Sequence, residues 1–250
     1  MGRVSGKVAI VTGAARGLGE ADARLLAKEG AHVILTDISQ KVVETAAQIE
    51  GAIGIVQDVA SPEGWAEVIA LAEEKFGRLD VLVNNAGIVD FTTIEESTLE
   101  NFRKVYAISA EGTFLGCQAA IPLMRKSGGG SIINMSSVAA LTAYPIVCSY
   151  AAAKGAVRSM SRNIAVYCQE QGYNIRVNAI LPGIIASDMT AAAAEEVKRR
   201  GLDVPVTDPA KAPKVGQPED IANLVLYLAS DESRMVNAAE LVIDDAVTAK

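Results

Sequence analysis

The sequence predicts an α/β protein built on a doubly wound parallel sheet with helices on both faces. Three observations predict it. Short apolar runs alternate with longer stretches of helical periodicity along most of the chain. The apolar runs are continuous, as expected for strands buried on both sides. The first of them leads directly into a glycine-rich turn that opens a helix.

Val8 to Val11 is the first strand. A helix follows from about Gly17 to Glu29, where Leu18, Ala21, Leu25 and Leu26 recur at helical spacing and Gly30 supplies the stop. His32 to Thr36 reads as a strand, Lys41 to Glu50 as a helix, Ile53 to Gln57 as the third strand and Pro62 to Phe76 as a helix. Val81 to Val83 is a strand, followed by a long helical stretch from about Leu99 to Arg125. Ser131 to Asn134 is the fifth strand, Tyr150 to Gln169 lies on the next long helix, and Ile175 to Ile180 is the sixth strand. Helix Glu219 to Ala229 and strand Glu240 to Ile243 close the pattern. One segment, about 188–217, breaks the rhythm: it carries Pro205, Pro209, Pro213 and many charges, although its Ala191–Ala194 run is helix-prone. We read it as an irregular lid over a site.

Composition narrows the function. The chain has 250 residues, half of them hydrophobic but only 4% aromatic, so the core must be aliphatic, and one domain accommodates the length. A net charge of −7 argues against a nucleic-acid partner, and the Lys198-Arg199-Arg200 run is too short to overturn that. Cys117, Cys148 and Cys168 are odd in number without CxxC spacing, which suits buried thiols in a reducing compartment. No signal-like run occupies Met1 to Lys7 and no window of about 18 apolar residues exists, so we expect a cytoplasmic protein with no membrane partner. With His32 as the single histidine, neither a Ser-His-Asp triad nor a typical zinc site can be assembled, and no metal is expected. His32, Trp65 and Tyr167 are read as structural residues.

The turn Thr12-Gly13-Ala14-Ala15-Arg16-Gly17-Leu18-Gly19 sits between strand and helix. Its glycines permit a sharp turn and close approach to a pyrophosphate, while the helix N-terminus offers free N–H groups and partial positive charge. Asp37, at the end of the next strand, lies where a carboxylate receives the adenosine ribose hydroxyls; the lesser alternative is a helix N-cap before Ile38. That carboxylate repels a 2′-phosphate, so NAD is favoured over NADP, and Arg16 keeps NADP as the alternative.

Tyr150 and Lys154 lie four residues apart, on one helical face. A phenol with pKa near 10 is a poor base at neutral pH, and a neighbouring ammonium lowers it. Ser137, just beyond a strand in Asn134-Met135-Ser136-Ser137, offers a hydroxyl to a substrate oxygen.

Thr12–Gly19, Asp58-Val59, Asn84-Asn85-Ala86-Gly87, Ser137, Tyr150/Lys154 and Pro182-Gly183 together resemble the short-chain dehydrogenase/reductase family, over essentially the whole chain. The resemblance implies a single-domain Rossmann fold, residues 1–250, with a seven-stranded sheet in the order 3-2-1-4-5-6-7. It implies Tyr150 as general acid–base, Lys154 lowering its pKa and holding the nicotinamide ribose, and Ser137 orienting the carbonyl. Gly13, Arg16, Gly17, Leu18, Gly19, Asp37 and Ile38 would bind the adenosine and pyrophosphate, Asp58 and Val59 would flank the adenine, and Asn85, Ala86 and Gly87 would support the turn. Pro182, Gly183 and Ile185 would hold the carboxamide side, with Ser187 where the family usually has threonine. Tyr144 and Val147 would join Ser137 and Tyr150 at the substrate, and Cys148 is a possible reporter of its binding. Within the family the chain is most similar to bacterial hydroxysteroid and secondary-alcohol dehydrogenases. The implied reaction interconverts a hydrophobic alicyclic, aryl or steroid-like alcohol and its ketone. The rival readings are an NADPH-dependent 3-ketoacyl-thioester reductase and a non-catalytic binding protein of the same fold.

Two departures stand out. Ser109, in Ile108-Ser109-Ala110-Glu111-Gly112, occupies the place of an asparagine that helps order a water chain to the lysine. We expect a working relay completed by an extra water, with Ser109→Asn changing the rate by no more than about a hundredfold. At the C-terminus, Asp244-Asp245-Ala246 replaces Asp-Gly-Gly and Asn237-Ala238 replaces Thr-Gly. Relatives form homotetramers by pairing helices of the kind that carries Tyr150, and the small Ala151, Ala152, Gly155 and Ala156 would permit close approach there.

Overall fold

The computed structural model describes residues 2–202 and 214–249. Seven strands, β1 (Val8–Thr12), β2 (His32–Asp37), β3 (Ile53–Val56), β4 (Val81–Asn84), β5 (Gly130–Met135), β6 (Ile175–Pro182) and β7 (Glu240–Ile243), form one sheet in the order 3-2-1-4-5-6-7. Every pairing is parallel. The expected Rossmann-like architecture is therefore present, strand order included.

Period-two alternation divides the strand side chains between two cores. From β1, Ala9 and Val11 face one side, where they meet Ala23 and Leu26 of α1 (Gly17–Lys28) and Ile221 and Val225 of α8 (Pro218–Ala229). Val8 and Ile10 face the other, against Trp65 and Val68 of α3 (Pro62–Phe76), Cys117 and Ala120 of α5 (Gly112–Lys126), and Ala165 and Cys168 of α6 (Cys148–Glu170). The short α2 (Lys41–Ala47) covers β2 and β3. Local chemistry places the ends. Ser61 caps α3 by accepting from the Gly64 N–H at 3.0 Å, Pro62 follows it, and Gly77 stops the helix at φ 68°.

Where the structure differs from the sequence reading, a competing local preference explains most of it. The expected single helix from Leu99 is instead α4 (Leu99–Tyr106), a π turn (Ala107–Glu111) and α5, and the Ser109 hydroxyl within the π turn bonds outside the helix, to Ile88. The expected irregular segment begins with a regular helix, α7 (Asp188–Arg199). Its alanine run and the Ser187–Thr190 capping box outweigh the irregularity expected from the prolines and charges. Residues 203–213, with all three prolines of that segment, lie outside the described residues. Cys117 and Cys168 are buried as expected, but Cys148 is exposed. Tyr167, read as a packing residue, is half exposed and touches Tyr173 edge-on. His32 is exposed and stacks on Phe76.

Candidate active site

A cleft of about 900 Å³ runs along the carboxyl edge of the sheet. Its floor begins at the turn after β1, where Gly13 and Gly17 take φ of +63° and +65°. A Cβ on Gly13 would lie 2.9 Å from the Ala86 Cα, so only glycine lets the turns after β1 and β4 nest together. Gly19 lies outside the cleft lining and serves packing instead: a Cβ there would meet the Gly13 carbonyl oxygen at 2.5 Å. The two turns are stitched by Thr12, whose Oγ1 accepts from the Asn85 and Ala86 N–H groups at 3.1 and 3.0 Å. Asn85 Nδ2 returns hydrogen bonds to the Thr12 and Gly13 carbonyls. α1 begins with no side-chain cap, which leaves its first N–H groups free of a side-chain acceptor at the edge of the cleft. Such a cradle fits a dinucleotide pyrophosphate.

Arg16, Gly17, Leu18, Asp37, Ile38, Asp58, Val59, Asn85, Ala86 and Gly87 line this half of the cleft. Asp37 lines the cavity but caps no helix, since the N-cap position of α2 is Gln40. Its Oδ2 accepts from the Ala15 N–H at 3.2 Å and its Oδ1 from the Ser39 N–H at 2.9 Å, so it braces the turn while it lines the cavity. Arg16 crosses the mouth to Asp188 on α7 at 3.1 Å, an exposed pair. Pro182, Gly183, Ile185 and Ser187 line the far wall.

At the centre, Ser137, Tyr150 and Lys154 share the lining with Tyr144 and Val147. Lys154 is buried, its Nζ 5.7 Å from the Tyr150 ring centroid and donating to the Met135 carbonyl at 2.7 Å. Burial pushes the ammonium down to about 8. The expectation of a phenol lowered by lysine is not what the protein alone produces. Burial raises the Tyr150 phenol, and the opposing pull comes from the Ser137 hydroxyl. Ser137 itself accepts from the Ala139 N–H at 3.1 Å.

Ser109 does not line the cleft. Its Oγ accepts from the Ile88 N–H at 3.3 Å and faces the Ile88 carbonyl at 3.5 Å. The hydroxyl still lies close behind the lysine: a Cβ on Gly87 would sit 3.3 Å from the Ser109 Oγ and 3.2 Å from the Lys154 Nζ. Sequence reading missed Met135 and Ser136, which grip Lys154, because their contacts run through main-chain atoms and a generic hydroxyl. It also missed Met189, Ala193 and Val197, the apolar roof that α7 supplies. Their i, i+4 spacing was visible once the segment was taken as a helix. α7 is fastened beyond its end by Arg200, which bonds Glu96, Glu196 and the Phe91 carbonyl. Arg200 and the Thr93 N–H together hold the Glu96 carboxyl down at about 2.

A family profile described as enoyl-(acyl carrier protein) reductase matches residues 13–248. Relatives named as alcohol and hydroxysteroid dehydrogenases match nearly end to end. An NADP-dependent (R)-specific alcohol dehydrogenase of Lentilactobacillus kefiri is 38% identical over 99% of each chain. The chain belongs to the short-chain dehydrogenase/reductase family. Other members of this dehydrogenase/reductase family are as similar. A 3-beta-hydroxysteroid dehydrogenase of Comamonas testosteroni is 40% identical over 98% of this chain and 97% of its own. A trans-4-hydroxycyclohexanecarboxylate dehydrogenase of Sinomonas cyclohexanicum is 39% identical over 99% and 95%. The crystal structure of levodione reductase superposes with a TM-score of 0.88 at 33% identity, covering 99% of both chains.

Proposed function

We propose that this short-chain dehydrogenase/reductase interconverts a hydrophobic secondary alcohol and its ketone, with NAD as the hydride carrier. The observation that carries the reading is Tyr150, Lys154 and Ser137 converging at the centre of a cleft whose remaining wall is largely apolar. When bound, the nicotinamide supplies the hydride acceptor or donor. The glycine turn, Asp37 and Asp58 would hold the adenosine end, with Pro182, Gly183, Ile185 and Ser187 at the other. Ser137 would hold the alcohol oxygen by hydrogen bonding, and Tyr150 would take its hydroxyl proton. Lys154, with a cationic nicotinamide beside it, would draw the raised phenol back toward neutral pH. α7 excludes water above the reacting carbon, where orientation contributes much of the acceleration. Side chains such as Ile88, Val138, Met189 and Val197 suit an alicyclic, aryl or steroid-like skeleton. The names of the relatives, which include a hydroxysteroid and a cyclohexane-derived alcohol, support that class.

Assay of a secondary-alcohol panel by NADH absorbance tests the reading, with Tyr150→Phe expected to abolish turnover. Full turnover by that variant removes Tyr150 from the mechanism, and with it this proposal. NADP is the second reading, favoured by Arg16 and by the named cofactor of the L. kefiri relative. Asp37 weighs against it, and we expect kcat/KM to favour NAD(H) over NADP(H) by about tenfold or more. A thioester substrate is the third, favoured by the description of the family profile. The charged residues lining the cleft, Arg16, Asp37, Lys41, Asp58 and Asp188, lie at its cofactor end apart from Lys154, which supports an uncharged substrate instead. We further propose a homotetramer built on α6 and α5, where Phe114 is half exposed, in a cytoplasmic setting. Among the described residues no helix is long and apolar enough to cross a membrane. Residues 1–250 would act as one dinucleotide-binding domain with its lid at 188–217.

A further inference from the structure

Lys154 is held at both ends by the segment that delivers Ser137. β5 ends at Met135, whose carbonyl accepts from the Lys154 ammonium at 2.7 Å. The next residue, Ser136, is buried, and its Oγ donates to the main-chain carbonyl of the same lysine at 2.8 Å. Its own N–H is tied to the Ile180 carbonyl of β6 at 2.8 Å. Ser137 follows immediately. Three consecutive residues therefore fix the base of the lysine, the tip of the lysine and the substrate-facing hydroxyl.

We infer that Ser136 is a positioning residue: its hydroxyl pins α6 to β5 at Lys154 and thereby sets the place of the ammonium relative to Tyr150 and Ser137. A helical carbonyl already accepts its own intrahelical bond and has one lone pair to spare. The serine bond therefore adds no satisfaction that the helix requires, and its value lies in the register it imposes between helix and strand. Elsewhere the tie between β5 and α6 in this region is the more distant Asn134–Ser161 bond of 2.9 Å, more than a turn further along α6. Without Ser136, no hydrogen bond among the described residues ties the main chain of α6 to the end of β5 where Lys154 enters the cleft. Displacements of about 1 Å cost on the order of a hundredfold in well-oriented reactions. The groups facing the ammonium are the Met135 carbonyl, the Tyr150 ring, Gly87 and, behind it, Ser109. Burial, with no carboxylate contributing, keeps it below the 10.5 of a free lysine.

The inference rests on the proposed role of Lys154, so its test needs a readout other than turnover. Ser136→Ala and Ser136→Thr are compared with the wild-type chain by peptide-resolved amine labelling of Lys154 across pH, alongside kcat and KM. In S136A, water reaches the loosened ammonium. The labelling midpoint is expected to rise from about 8 toward 10.5. kcat is expected to fall about tenfold or more with substrate KM changed less than about threefold. S136T keeps the hydroxyl and restores both. Should either variant pack too poorly to assay, S136C, of similar size with a weak donor, is expected to behave as S136A. An unchanged Lys154 midpoint in S136A overturns the inference, as does a lowered kcat that S136T and S136A share. A shifted midpoint rescued by threonine supports it. If Tyr150→Phe then proves fully active, the failure belongs to the proposed chemistry and not to Ser136.

Discussion

Two turns at the carboxyl edge of the sheet ask the same thing of the backbone and are given different residues. After β1, the left-handed positions are Gly13 and Gly17; after β7, they are Asp245 at φ +51° and Ala246 at +63°. Each non-glycine residue there costs roughly 1–2 kcal/mol of backbone strain. The difference lies in what surrounds them. At Gly13 a Cβ has nowhere to go, since Ala86 stands 2.9 Å from its place. Asp245 and Ala246 are exposed, with room for a side chain on the outer side, and the Asp245 carboxylate accepts from the Lys214 N–H at 3.2 Å. Glycine is thus indispensable where strain and close approach coincide, and replaceable at modest cost where strain acts alone.

The largest effect expected from that comparison is at the first turn. Gly13→Ala should weaken dinucleotide binding about a hundredfold or abolish it, measured by calorimetric titration; near-normal affinity would mean the two turns separate easily. Next comes a residue one turn into the helix that the glycines open. Asp22 is fully buried, and neither carboxylate oxygen has a hydrogen-bond partner among the described residues. Burial raises its pKa well above the ordinary value. The folded protein therefore binds a proton there that the unfolded chain releases, and stability falls as pH climbs from about 4 toward the raised pKa. Asp22→Ala should add about 1–3 kcal/mol at neutral pH and flatten that slope, as read from urea melts at pH 5 and pH 8. A variant less stable than wild type at both values would show that the carboxyl has a partner after all. The smallest gain belongs to the second turn: Ala246→Gly should add about 1 kcal/mol, or a few degrees in Tm, without altering kcat. Gly17→Ala, where the added Cβ meets open space, should cost about 1 kcal/mol and no more. A larger loss would place a further demand on that position.

What could be read from the sequence follows the same division between local and distant causes. The strands and the first turn were legible because continuous apolar runs and glycine spacing are written in consecutive residues. The lining positions of the cleft followed from the family resemblance. The start of α7 was misread because three prolines further on outvoted an alanine run and a capping box that act only on their own segment. The π turn was invisible, since its residues continue the helical periodicity of their neighbours without a break. The raised phenol of Tyr150 was missed for a like reason: sequence shows the lysine four residues away but not the burial that opposes it. Ser136 looked like one more small residue beside Ser137 until its hydroxyl was seen on the Lys154 carbonyl.

Trp65 is the single tryptophan of the chain, and it is buried behind the cleft wall that holds Val59. Its indole N–H donates at 2.9 Å to the carbonyl of Val59, a residue of the cleft wall. The protein thus carries one intrinsic fluorophore, wired to the region where the dinucleotide is proposed to dock. A change in its emission intensity on titration with oxidised cofactor, or energy transfer to the reduced form, would give a binding isotherm from an unlabelled sample, with no other indole in the background.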